Sequence, residues 1–143
     1  MYYGYSYSPM VKIITAICLV LLLGACYLSP GWISYLLLVP MLVPLIYLPR
    51  GYELQEDRIV LHCLLWSKTF LLADYEVRAL EQEPLLGGIR LFASGGYLGF
   101  TGFFWLPKRG RCSLFVADQR GPFLELTHRT MHCRYIINGS LGA

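Results

Sequence analysis

The sequence predicts a membrane-anchored α+β protein: a two-helix transmembrane hairpin in front, and behind it an all-β antiparallel barrel or sandwich of about seven short strands. Three observations carry that expectation. The chain is 56% hydrophobic and 15% charged, with a mean hydropathy of +0.50, whereas soluble domains carry roughly 25% charged residues. The charges are segregated, because Lys12 is the only Asp, Glu, Lys or Arg before Arg50. Beyond Arg50 the apolar residues alternate with a period of two, the spacing of half-buried strands.

Residues 1–10, "MYYGYSYSPM", read as a short tail. Two apolar runs follow, residues 11–28 and 32–48, separated by "SPG", so that residues 11–49 form the hairpin. At about 1.5 Å per residue each run approaches the ~30 Å hydrocarbon core. Pro40 and Pro44 interrupt the second run, which membrane helices tolerate where neighbours satisfy the freed carbonyls. Tyr27, Trp32 and Tyr35 at the turn, with Tyr47 and Tyr52 at the far end, suit interfacial aromatic belts. Lys12, Arg50 and Arg58 flank the open end and the turn carries no charge. By the positive-inside rule both termini are then cytoplasmic, in a multi-pass protein of a bacterial inner membrane. A rival reading takes "LGAC", residues 23–26, as a lipoprotein cleavage site with Cys26 lipidated. Against it stand the single lysine ahead of the run and the second apolar run that follows.

The second unit, residues 51–140, contains the strand-like segments "RIVLHC", "KTFLLADYEVRAL", "CSLFVAD", "PFLELTH" and "CRYIIN". In the first, Ile59, Leu61 and Cys63 share a face. Between Arg90 and Leu106 lies a stretch with four glycines in eight residues, followed by "FFWL". Such density signals either a phosphate cradle or a backbone that bends where side chains do not fit. A phosphate loop needs a helix after its glycines, and "FFWLPKRG" is strand and turn, so the glycines serve shape.

These residues resemble a known family. Tyr52, Leu54, Asp57 and Ile59, then "LLADYEVRAL", then Arg90, Gly95, Gly96, Gly99, Gly102 and Phe103 or Phe104 look like the motif series of bacterial pleckstrin-homology-like domains in small membrane proteins. The resemblance covers roughly residues 52–140 and implies a β barrel or sandwich that binds through loops or strand edges. It also implies a closing C-terminal helix, and here the chain reads "RYIINGSLGA", so that helix is short or absent. Tyr135 and Ile137 would then need cover from self-association or another membrane protein. Arg90, matching the family's arginine, is either an anion contact or a structural group satisfying loop carbonyls.

Chemistry is sparse. Asp74 with Glu76, and Glu81 with Glu83, are carboxylates two apart and read as solvated strand faces rather than acid–base pairs. Ser94 lacks a nucleophile elbow. Five cysteines at unrelated spacings suggest neither disulfides nor zinc, and His128, His132 and Cys133 fall short of a ligand set. Neither cofactor nor metal is expected, nor an enzyme. The net charge of +3 gives no nucleic-acid stripe. Its densest cluster, Lys108, Arg109 and Arg111, is a candidate contact, with Arg90, for anionic lipid headgroups or a partner. The expected function is a non-catalytic binding module, with headgroup sensing or a Cys26 lipoprotein as alternatives.

Overall fold

The computed structural model describes residues 1–29, 31–80, 89–95, 97–118 and 120–141, the side chains of Phe92, Ser94 and Gly95 excepted. In chain order they form β1 (Tyr2–Gly4), α1 (Pro9–Leu28), α2 (Trp32–Ile46), β2 (Pro49–Leu54), β3 (Arg58–Cys63), β4 (Ser67–Leu71), β5 (Tyr75–Leu80), β6 (Ile89–Gly95), β7 (Phe100–Leu106), β8 (Gly110–Val116), β9 (Phe123–His128) and β10 (Arg134–Asn138). The protein is therefore α+β, an apolar N-terminal helix being followed by two mostly antiparallel sheets.

Helix α1 starts where Ser8 supplies a side-chain acceptor to the Val11 amide and Pro9 opens the first turn, a position where a missing N–H costs nothing. It has 20 residues and an 18-residue window of mean hydropathy 2.4, long and apolar enough to cross a membrane. Helix α2 is shorter than the second apolar run suggested. It stops at Ile46 after 15 residues, with Pro40 and Pro44 inside it. The Ser34 hydroxyl donates to the Cys26 and Ser29 carbonyls, so the two helices touch at their connected ends. Beyond the first turns of α1 many of their side chains face outward: Val20, Leu21, Leu23, Leu36 and Val39 are all exposed.

The strands form two sheets, ordered β1-β2-β3-β4 and β5-β9-β10-β8-β7-β6. Three expectations need correction here. Among the described residues the strands form a sandwich and no barrel closes, because β5 and β6 are the two edges of the larger sheet. Residues 1–10 are no tail, because Tyr2, Tyr3 and Gly4 pair with Glu53, Tyr52 and Gly51 and Pro9 already belongs to α1. Nor does β10 lie uncovered. It sits between β9 and β8, parallel to β8, and Ile137 is fully buried. The described chain carries ten strands, nine of them after the helices, rather than about seven.

The two sheets enclose one cluster. Tyr52, Ile59, Leu61, Cys63 and Phe70 of the smaller sheet meet Phe115, Leu124, Leu126 and Ile137 of the larger. The face read from "RIVLHC" is this one, since Ile59 and Leu61 are fully buried. A second cluster covers the opposite face of the larger sheet: Leu80, Phe100, Phe104, Leu106, Cys112, Leu114, Val116, Phe123 and Ile136, joined by Val11 from α1. That double burial explains why "SLFV" is apolar without alternation, as a strand covered on both faces must be. Asn138 pins the turn after β8: its Oδ1 accepts from the Ala117 and Asp118 amides at 2.7 and 3.0 Å, and its Nδ2 donates to the Asp118 carbonyl at 2.8 Å.

Candidate functional site: the anchor junction and the exposed strip

The helices and the β body are locked at one end. Tyr7 donates its hydroxyl to the Pro49 carbonyl, bringing the start of α1 to the end of α2. Tyr5 donates its amide to Arg50 at 2.9 Å. Burial pushes the Tyr7 hydroxyl up to about 12, so it stays a donor across the physiological range. The Tyr5 hydroxyl, also pushed up by burial, has no hydrogen-bond partner among the described residues. Gly51 makes the approach of β1 possible, because a Cβ there would lie 2.5 Å from the Tyr3 carbonyl oxygen. The tyrosine-rich prefix is thus the clamp between helices and body, with Tyr3 stacked on Tyr52 at 5.1 Å.

The glycine stretch is a β-hairpin gripping α1. Gly95 pairs with Phe100 across the turn. Leu98, at φ +57, donates its amide to the Thr15 hydroxyl at 3.0 Å, while that hydroxyl donates to the Val11 carbonyl at 2.7 Å. Gly99 and Gly102 adopt φ +108 and +115. At Gly99 a Cβ would stand 2.9 Å from the Val116 carbonyl and 3.8 Å from the Tyr7 ring. Gly95 lies in β6, and Gly96 falls outside the described residues, as do Glu81 and Glu83.

The basic turn lies at the other end. β7 begins at the α1 contact and runs seven residues to Leu106, about 20 Å, before the turn that carries Lys108 and Arg109. Lys108 and Arg111 are exposed. Arg109 instead turns inward, its side chain 17% exposed and its Nε 3.6 Å from Oε2 of the buried Glu125. Arg134 reaches the same carboxylate at 3.9 Å and donates to the Arg109 carbonyl. Arg90 is exposed on the edge strand β6, opposite Phe104. The structure therefore does not gather the four cations into one site.

The feature that alternation alone did not reveal is an apolar strip on the outer face of the β6–β7 hairpin. Phe104 points into the core, and Phe103 and Trp105 point away from it. Beside them Ile89, which pairs with Trp105, and Leu91 are also exposed. Arg111 pairs with Trp105 from the next strand. An edge strand flanked by aromatics suits strand addition or a flat apolar partner.

Asp74 and Glu76 are exposed. His128 accepts backbone amides from Thr130 and Met131 at Nδ1, which holds the turn after β9. Burial raises the Cys63 thiol to about 11. Alkylation proceeds through the thiolate, so at mildly alkaline pH Cys63 should react at least about a hundredfold more slowly than the exposed Cys133. Site-resolved mass spectrometry of timed alkylation checks this, and comparable rates would contradict the burial.

Comparison with protein-family models, characterised proteins and solved structures found no match. Function must be read from the residues themselves.

Proposed function

We propose that this protein is a membrane-anchored, non-catalytic binding module of a bacterial cytoplasmic membrane. In this reading α1 and α2 cross the bilayer as a pair and the β body displays the β6–β7 strip to a protein partner on the cytoplasmic side. One observation carries it: largely outward-facing apolar helices rise from the folded β body, with the start of α1 and the end of α2 joined at the body through Tyr7 and Pro49. If α1 crosses a bilayer, that closure requires α2 to return through it. The 15 residues of α2 cover only about 22 Å, a mismatch that local thinning and flanking Tyr47 and Leu48 accommodate. The pleckstrin-homology-like affiliation of residues 52–140 belongs to this proposal too, resting on the glycine hairpin and the packed sheets.

Two alternatives fit less well. Headgroup sensing through Lys108, Arg109 and Arg111 would need the basic turn near the bilayer, but it lies at the far end of β7, and Arg109 is occupied by Glu125. Cleavage before Cys26 would remove β1, Tyr7 and the buried Val11 from the body they complete. The test is cysteine accessibility in intact cells. Cys133 should resist an impermeant maleimide until the membrane is opened, while a Ser29→Cys variant should react at once. Prompt labelling of Cys133 in intact cells would overturn the orientation.

A further inference from the structure

We propose that the turn between β3 and β4, Leu64 to Trp66, is a second membrane contact, an apolar wedge seated in the interfacial layer of the leaflet where α2 ends. The inference rests on the anchor reading above and adds a site that reading does not contain.

Placement is the first argument. The Leu64 amide donates to the Leu48 carbonyl at 2.9 Å, so the turn is fastened two residues beyond the end of α2. Tyr47 and Trp66 meet edge to face with ring centroids 5.9 Å apart. The turn thus shares the depth of the last residues of the helix.

Composition is the second. Turns in water favour Gly, Asn, Asp, Pro and Ser. The other two turns of this part of the chain obey: "QED" at 55–57 and "LAD" at 72–74 each bring an acid. The 64–66 turn offers "LLW" instead. Leu65 is 72% exposed and Leu64 38%, and Ile46 and Tyr47 at the helix end are exposed too. No acidic residue occurs between Arg58 and Ala73, and exposed Arg50 stands beside the helix end, where an anionic phosphate would complement it.

Rigidity is the third. Trp66 is braced from the other side by Phe115, centroids 6.0 Å apart. The two leucines are therefore presented by a fixed aromatic stack rather than by a loose loop. A leucine tip backed by Trp and Tyr is the arrangement that interfacial residues adopt. The bilayer is the occupant because the turn is continuous with the helix that enters it. A second copy or another protein would have to sit among headgroups to reach it.

Single-tryptophan reporters in the full chain, reconstituted into vesicles with lipids brominated high on the acyl chain, test this. One reporter keeps Trp32 and carries Trp66→Phe and Trp105→Phe. The second carries Leu65→Trp with all three native tryptophans changed to Phe. The third carries Glu56→Trp in that same background, at the turn remote from the helices. Quenching should be about threefold stronger at position 65 than at position 56, and high salt should not reduce it. Strong quenching of Trp32 with none at position 65 overturns the wedge and leaves the anchor standing. Loss of the position-65 signal in high salt overturns insertion in favour of a purely electrostatic contact. Absence of quenching at Trp32 overturns the anchor reading itself. Near-ultraviolet dichroism matching the parent shows that each reporter is folded.

Discussion

Gly99→Ala should lower the unfolding temperature by about 15 °C, read by near-ultraviolet dichroism in mild detergent. Two costs add. At φ +108 an L side chain pays about 1–2 kcal/mol for the left-handed backbone. The new methyl also lies 2.9 Å from the Val116 carbonyl oxygen, and Val116 cannot retreat because it is fully buried and pairs with Phe100. Together they give about 3 kcal/mol, and each kcal/mol moves the midpoint of a domain near 100 residues by about 4–8 °C. Gly110→Ala is the matched control. Its φ is +74 but a Cβ there meets open space, so only the backbone cost of about 1 kcal/mol remains. Equal shifts in the two variants would show that the crowding at Gly99 has no consequence.

Glu125→Ala should destabilise the protein by about 3 kcal/mol, the penalty for breaking a buried ion network and leaving charges without compensation. Glu125 is 6% exposed and holds Arg109 and Arg134 together. Removing it leaves two guanidinium groups crowded at the end of β8 and β10. Lys108→Ala, one position from Arg109 but exposed, should leave stability unchanged. Chemical denaturation of both variants separates the two roles for this basic turn. A harmless Glu125→Ala would return Arg109 to the list of available surface cations.

Much of the β body was legible because burial on one face imposes alternation. "RIVLHC" announced itself in that way. The tyrosine prefix did not, since three residues of "YYG" carry no period and their partner lies about 50 positions away in β2. The place of β10 was equally hidden. "RYIIN" reads as a strand, yet nothing local says that it enters between two others and runs parallel to one of them. Cover for Ile137 was therefore sought outside the chain when the smaller sheet provides it. Arg109 shows the limit for charges. Lys108, Arg109 and Arg111 are indistinguishable as a run, and only the approach of Glu125 from β9, two strands away from β8, turns one of them inward. The glycine density pointed to backbone geometry, but which glycines need positive φ depends on Val116 and Tyr7, neither of which is near in sequence.

The central place of β10 also bears on how the protein is made. The helical segment, residues 9–46, leaves the ribosome long before Arg134 to Asn138, and chains are synthesised at roughly 5–20 residues per second. Until that last strand arrives, β8 and β9 face each other across an unfilled gap and the larger sheet cannot form its two clusters. The helices are therefore complete while the body is still open. Closure then depends on threading a five-residue segment between strands already tethered to the helices. Such non-local pairing is slow to form. The vulnerable interval is the one before residues 134–138 are made, when Phe115, Leu124 and Leu126 still lack the Ile137 that joins them.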